Sequence, residues 1–254
     1  MIRQLVFSLA WVLLSAGTAW AGLPETINKL KPSIVLVGTY KATNNPRFQL
    51  RGSGFIVGDG TKIVTNAHVL PEQGSLQEGQ ILVAQLRLGQ GGEWQMRPVT
   101  HLETDPAHDL SLLQLDGPAA PAIAIGDSSR VREGDDLAFM GFPIGGILGF
   151  SIVTHRAMVS SITTAALPSP SAGRLSEKAI LGLRNGTFPI FQLDATAYPG
   201  NSGGPLFDPV NGELVGVLNM VLIKGTRESA LSQPSGIAYA IPSSHVKDLL
   251  QKYR

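Results

Sequence analysis

Chemistry concentrates first in one stretch, Asp194-Ala195-Thr196-Ala197-Tyr198-Pro199-Gly200-Asn201-Ser202-Gly203-Gly204-Pro205-Leu206, just ahead of a β-type run from Glu213 to Val221. Ser202 stands among three glycines and a proline. Glycine lets backbone N–H groups converge on a ligand without side chains in the way. A serine in such a turn can attack a carbonyl while neighbouring N–H groups stabilise the oxyanion that forms. On its own the stretch has other readings. Gly200-Asn201-Ser202-Gly203-Gly204 also satisfies the G-x-S-x-G pattern of an α/β-hydrolase nucleophile elbow. Gly, Asn, Ser and Pro also dominate plain turns.

A hydroxyl with an unperturbed pKa is a poor nucleophile. It needs a base within hydrogen-bond reach, and the base needs an acceptor to orient it. Five histidines are available. His101 falls within a strand pattern, His108 abuts Asp109, His155 lies near a strand end and His245 lies in a terminal helix pattern. For an arbitrary histidine, a satisfied or surface position is the better reading. Position singles out His68, which follows a strand in Thr65-Asn66-Ala67-His68-Val69, because strand ends present functional groups on a rigid scaffold. For the acid, Asp109 enters the apolar strand Leu110-Ser111-Leu112-Leu113 and can accept bonds there while buried. Glu103 and Asp105 are expected in a solvated loop.

Composition narrows the field. A chain of 254 residues can bury a sizeable core as one domain or two small ones. Its net charge of +1, without a basic run longer than a pair, argues against a nucleic-acid partner. The absence of cysteine excludes disulfides, thiolate metal sites and a thiol nucleophile. No metal or cofactor is expected. The histidines lack a second ligand at helical or hairpin spacing, and the Gly145-Gly146 to Gly149 run lacks the context of a dinucleotide-binding turn. Residues 1–21 have the form of an export signal: Arg3, an apolar core from Leu5 to Leu14, and a small-x-small site at Ala19-Trp20-Ala21. Cleavage after Ala21 and a periplasmic or secreted location in a bacterium are expected, with no membrane span afterwards.

Around these residues, the chain reads as many short strands joined by tight turns. A helix is expected at Leu23–Lys31. Strands are expected at Ser33–Tyr40, Arg51–Val57, Lys62–Thr65, Ile81–Leu88, Trp94–Leu102 and Leu110–Leu115. Gly117–Pro121 then serves as a link. The second half continues with strands at Asp136–Gly141, Phe150–Thr154, Met158–Thr163, Phe188–Leu193, Leu214–Leu222 and Gly236–Ile241. Ser243 can cap a final helix with Val246, Leu249, Leu250 and Tyr253 on one face. The pattern points to antiparallel barrels or sandwiches. An elbow enzyme would need helices between its strands and a long segment after the serine. Here about two strands and one helix follow, so that reading loses.

Several segments in order then resemble the HtrA/DegP type of trypsin-like serine protease. They are Gly52-Ser53-Gly54-Phe55-Ile56-Val57, Ile63-Val64-Thr65-Asn66-Ala67-His68-Val69, Asp109-Leu110-Ser111-Leu112-Leu113 and Ile125-Gly126-Asp127-Ser128. Gly134-Asp135, Gly141-Phe142-Pro143-Ile144-Gly145, Val159-Ser160-Ser161 and Gln192-Leu193-Asp194-Ala195 follow. The series ends with Pro199-Gly200-Asn201-Ser202-Gly203-Gly204-Pro205-Leu206 and Gly236-Ile237-Ala238-Tyr239-Ala240-Ile241-Pro242.

The resemblance implies an all-β fold of two six-stranded antiparallel barrels with short terminal helices. The expected bounds are about 33–117 and 122–242, with the last helix at 243–253 and the site in the cleft between barrels. It implies His68 as general base and then acid, Asp109 as its orienting acceptor and Ser202 as nucleophile. The N–H groups of Gly200 and Ser202 would form the oxyanion hole. Thr196, Ala197 and Leu218 would line the first specificity pocket, and Asn219-Met220-Val221 would pair with an extended substrate as an added strand. No carboxylate lies among the pocket residues, so small or medium aliphatic side chains are expected there. Partners are protein or peptide substrates, with a homotrimer implied by the resemblance alone.

Two departures stand out. HtrA proteases usually carry PDZ domains after the protease domain, and none is expected within these residues. The segment Ala165–Thr187 is longer than the corresponding loop and is expected to shield or gate the site. Competing readings are a non-catalytic peptide-binding or holdase protein on the same fold, and an ester hydrolase with the same triad.

Overall fold

Apolar runs set the strands, and their burial on both faces explains why they lack polar alternation. The computed structural model describes residues 22–72, 74–88, 92–143, 149–165, 188–219 and 236–253. Helix α1 (Leu23–Leu30) is followed by β1 (Ile34–Tyr40), β2 (Phe48–Val57), β3 (Lys62–Asn66), β4 (Ile81–Arg87), β5 (Trp94–Asp105) and β6 (Leu110–Leu115). These six close into one barrel in the order β1-β2-β3-β6-β5-β4. Then come β7 (Asp136–Gly141), β8 (Val153–Ala165), β9 (Phe188–Asp194), β10 (Pro205–Phe207), β11 (Leu214–Asn219) and β12 (Ile237–Pro242), with helix α2 (Ser243–Lys252) at the end. They close into a second barrel, β10-β11-β12-β9-β8-β7. Every strand pair is antiparallel. The expected fold class is therefore the observed one.

Successive residues of a strand point to opposite faces. Along β1, Val35 and Val37 join the interior of the first barrel with Ile56, Ile63, Leu86 and Leu113. Ile34 and Leu36 join a different cluster with Phe55, Val64 and Leu112. That cluster also holds Met140, Phe207, Val217 and Ile241 from the second barrel, and Val246 and Leu249 from α2. The second barrel has its own interior of Phe139, Val159, Phe191, Leu193, Leu206 and Leu218. A strand that faces a lumen on one side and the neighbouring barrel on the other reads as a continuous apolar run.

Strand lengths depart from the sequence reading wherever a partner strand extends the pairing. β2 begins at Phe48, because Phe48, Gln49 and Leu50 pair with Tyr40, Thr39 and Gly38. β5 continues past Leu102, because Glu103, Thr104 and Asp105 pair with Leu112, Ser111 and Leu110 after a bulge. The two strands expected at 150–163 are one strand, with His155, Arg156 and Ala157 paired to β7. β10 has no counterpart among the expected strands; a three-residue strand opening on proline is defined by its pairing to β7 and β11. Among the described residues three strands, not two, therefore follow Ser202.

At α2, Ser243 does not cap the helix. Its Oγ donates to the carbonyl of Gly126 at 3.1 Å, and the Ser128 hydroxyl accepts from the N–H of Ser244 at 3.1 Å. The linker between barrels thus supplies the cap. Val246 and Leu249 are buried as expected, whereas Tyr253 lies past the helix end and is exposed. The segment 166–187, with its expected gating role, lies outside the described residues.

Candidate active site

The pairing of β3 with β6 brings two separate motifs to one end of the first barrel. Thr65 opposes Ser111 and Asn66 opposes Leu110. His68 therefore leaves the end of β3, in a single helical turn at Ala67–Val69, beside Asp109 at the start of β6. Two donors on one carbonyl hold the junction: the N–H of Ala67 and the Asn66 Nδ2 both donate to the Asp109 carbonyl at 3.0 Å. Asp109 itself adopts φ 51°, the left-handed region. Aspartate tolerates that region better than most residues, and such conformations cluster at functional sites.

Three donors converge on the Asp109 carboxylate. The His68 N–H donates to Oδ1 at 2.9 Å. His68 Nδ1 lies 2.5 Å from Oδ2, and Asn219 Nδ2 donates to the same oxygen at 2.8 Å. A carboxylate only accepts, so the Nδ1 proton stays on the imidazole and Nε2 keeps its lone pair for a proton to be taken. Asn219, fully buried at the end of β11, supplies this contact from the second barrel. The sequence places Asn219 against substrate and carries no sign of its bond to Asp109.

Ser202 comes from the opposite side, on the turn between β9 and β10. It is 6% exposed, and its carbonyl accepts from the N–H of Ser53 in β2 at 2.8 Å. Gly203 has φ 81°, and a Cβ there would overlap the Ser53 carbonyl and the Thr65 hydroxyl. Only glycine fits this close approach of the serine turn to the strand carrying His68. Among the described residues no hydrogen bond joins the Ser202 hydroxyl to His68. Catalytic hydrogen bonds commonly tighten only when substrate arrives. Among the described residues the N–H groups of Gly200 and Ser202 also have no acceptor. Flanking N–H groups are engaged: Asn201 donates to the Tyr198 carbonyl at 3.0 Å, and Gly203 to Leu218 at 3.0 Å.

Of the other expected residues, Thr196 is half-buried, while Ala197 and Leu218 share one buried apolar cluster with Ala195 and Ala238. Met220 and Val221 lie outside the described residues.

Residues 52–217 match the family described as Trypsin-like peptidase domain. The chain belongs to the trypsin-like peptidase family. It is 28% identical over 250 residues to "Serine protease HTRA4" of Mus musculus, covering 94% of this chain and 44% of that protein. It is 33% identical over 195 residues to "Probable periplasmic serine endoprotease DegP-like" of Pseudomonas putida (strain W619), covering 76% of this chain and 33% of that protein. The chain thus spans less than half the length of these relatives. Among solved structures, "HtrA-type protease AlgW with decapeptide" matches with a TM-score of 0.64 and 21% identity, over 92% of this chain and 67% of that one.

Behind the site of this trypsin-like chain lies a second aspartate–histidine pair that the sequence does not reveal. Asp105, expected in solvent, is 8% exposed at the end of β5. Its Oδ1 accepts from the N–H groups of Ala107 and His108 at 3.1 and 3.3 Å, and its Oδ2 lies 2.7 Å from His108 Nδ1. The bond from His108 holds the Asp105 carboxyl below the ordinary carboxylate range, against the opposing effect of burial. The His108 ring stacks on His245 of α2 at 3.7 Å, and Phe188 meets both rings edge-on. The sequence shows only that Asp105 stands three residues before His108, and His245, which stacks on that ring, lies in the last helix.

Burial, and then the neighbouring His108, push the His245 imidazole below its ordinary value of 6.5. Burial does the same to His155, which stacks on Phe139 at 4.7 Å. The unfolded chain binds protons that these folded imidazoles refuse, so their stabilising effect is complete above pH 6.5 and is lost as pH falls below it. The midpoint of thermal unfolding is expected to drop between about pH 7 and about pH 5, and a His155→Phe/His245→Phe variant is expected to drop less. Parallel curves for the two proteins would refute this assignment.

Proposed function

We propose that the chain is an exported serine endopeptidase that hydrolyses peptide bonds in unfolded or exposed protein segments. Ser202 is the nucleophile, His68 the base and then the acid, and Asp109 the group that holds the His68 tautomer. The reading rests on one observation above others: three donors fix the Asp109 carboxylate against His68, which leaves Nε2 as the ring nitrogen that can take a proton.

In this reading His68 Nε2 takes the Ser202 proton as Oγ attacks the scissile carbonyl. The N–H groups of Gly200 and Ser202, which have no acceptor among the described residues, hold the resulting oxyanion, each worth about 3 kcal/mol. Asp109 offsets the charge of the imidazolium. The imidazolium then protonates the leaving amine, and water repeats the sequence on the acyl-enzyme. Asn219, Met220 and Val221 offer backbone to an extended substrate. A periplasmic or secreted location fits the leader-like residues 1–21 and the periplasmic description of the Pseudomonas putida relative. No helix among the described residues is long and apolar enough to cross a membrane.

Labelling with a fluorophosphonate, together with digestion of a permanently unfolded protein, tests this reading. Labelling and cleavage together support it. Binding without labelling supports a holdase, and labelling with ester cleavage alone supports an esterase.

Specificity gives a separate check. Thr196, Ala197 and Leu218 place no carboxylate near the first pocket. Peptides with Val, Ala or Leu before the cut are expected to exceed their Arg or Lys counterparts in kcat/KM by about tenfold or more. Faster cleavage after Arg or Lys would remove Thr196, Ala197 and Leu218 as pocket residues.

A further inference from the structure

The first barrel contributes more to the serine turn than a histidine and an aspartate. Ser53, in the middle of β2, is fully buried, and all its polar groups are engaged. Its hydroxyl donates to the Gly200 carbonyl at 2.6 Å and accepts from the N–H of Phe142 at 3.0 Å. Its own N–H donates to the Ser202 carbonyl at 2.8 Å, and its carbonyl accepts from the Thr65 hydroxyl at 2.7 Å. The space is tight: a Cβ on Gly141 would lie 2.9 Å from the Ser53 hydroxyl and 2.7 Å from Asn201 Oδ1.

The two bonds from Ser53 fall on the peptides that flank the candidate oxyanion donors. The carbonyls of Gly200, Asn201 and Ser202 are each anchored, the first and third by Ser53 and the second by the N–H of Gly204 at 2.9 Å. Gly200 has φ 104°, so nothing in its own sterics keeps the flanking peptides from rotating. A carbonyl fixed at Gly200 removes that freedom, and the Gly200 N–H can then stay aimed into the cleft. A buried hydroxyl that both donates and accepts is a directional restraint that an apolar group of the same size cannot replace.

We propose that Ser53 is a positioning residue for the oxyanion hole, through which the first barrel sets the backbone donors of the second. The inference rests on the peptidase reading above. Donor loss at an oxyanion hole acts in the transition state and costs about 10²–10³ in kcat, and a donor that is merely misaimed costs part of that. Ser53→Ala in the full chain is expected to lower kcat by about 10–100-fold with KM within about threefold. Affinity for a peptide boronate, which forms a tetrahedral adduct, is expected to fall in step with kcat.

Both quantities are measured per site titrated to completion with fluorophosphonate, so a misfolded fraction does not register. Ser53→Cys keeps the shape but offers only a weak donor and acceptor, and about a tenfold loss of kcat is expected. It decides the matter if the alanine variant does not fold. Wild-type kcat per titrated site in a folded Ser53→Ala, or in Ser53→Cys, overturns the proposal, as does a loss confined to KM. An inert, unlabelled wild type overturns the peptidase reading and this inference with it. An active wild type with fully active Ser53 variants overturns this inference alone.

Discussion

Ser202→Ala is expected to reduce kcat/KM for a cleaved peptide by about 10⁴-fold or more while leaving the fold intact. The substitution removes one oxygen. The anchors of the turn are backbone groups and survive it: the Ser202 carbonyl on the Ser53 N–H, the Gly203 N–H on Leu218 and the Gly204 N–H on Asn201. Ser202 is buried, and the Cβ that remains already fits its site. Thermal unfolding should therefore shift by no more than a few degrees, corresponding to about 1 kcal/mol. Residual hydrolysis would come from binding and the backbone donors alone. The measurement is kcat/KM on a fluorogenic peptide together with fluorophosphonate labelling, which the variant should lose. A variant that still labels, or that keeps a tenth of the activity, would place the nucleophile elsewhere.

Asp109→Asn is the second large effect, about 10⁴-fold in kcat with little change in KM. The native carboxylate accepts from three donors: the His68 N–H, His68 Nδ1 and Asn219 Nδ2. An amide offers one accepting oxygen and brings two N–H donors of its own. Its NH₂ group can be accommodated only if His68 turns its Nδ1 lone pair toward residue 109 and moves the ring proton to Nε2. In that tautomer Nε2 cannot take the Ser202 proton. The shape is nearly unchanged, so unfolding should stay cooperative, and the loss should appear in kcat. Activity within tenfold of wild type would show that Asp109 does not select the tautomer.

The elements behind these two effects are legible in the sequence to different degrees. The first barrel's strands are plain because Ile34–Val37, Ile63–Val64 and Leu112–Leu113 are apolar or β-branched runs within them. Phe48–Leu50 and the polar Glu103–Asp105 are not, because they enter strands only when β1 and β6 offer a pairing edge. The short β10 has no pattern of its own and exists through its two neighbours. Among site residues, His68, Asp109 and Ser202 stand out because each sits in a distinctive local context. Asp105 does not, because a carboxylate in a polar stretch reads as solvated until the fold places the half-buried His108 imidazole beside it.

The order of residues thus specifies which groups could do chemistry: a serine in a glycine-rich turn, an aspartate ahead of a buried strand, a histidine after one, and apolar runs that demand burial on two faces. How those groups are held is a property of the closed barrels. Asn219 reaches Asp109 across 110 residues of chain, and Ser53 reaches Gly200 across 147. His108, between β5 and β6, meets His245 of the last helix. The reason is physical. A polar side chain inside a strand carries no periodic or local signature of its partner. Its hydrogen bond exists only once closure of the two barrels has buried it and set which distant group it must satisfy.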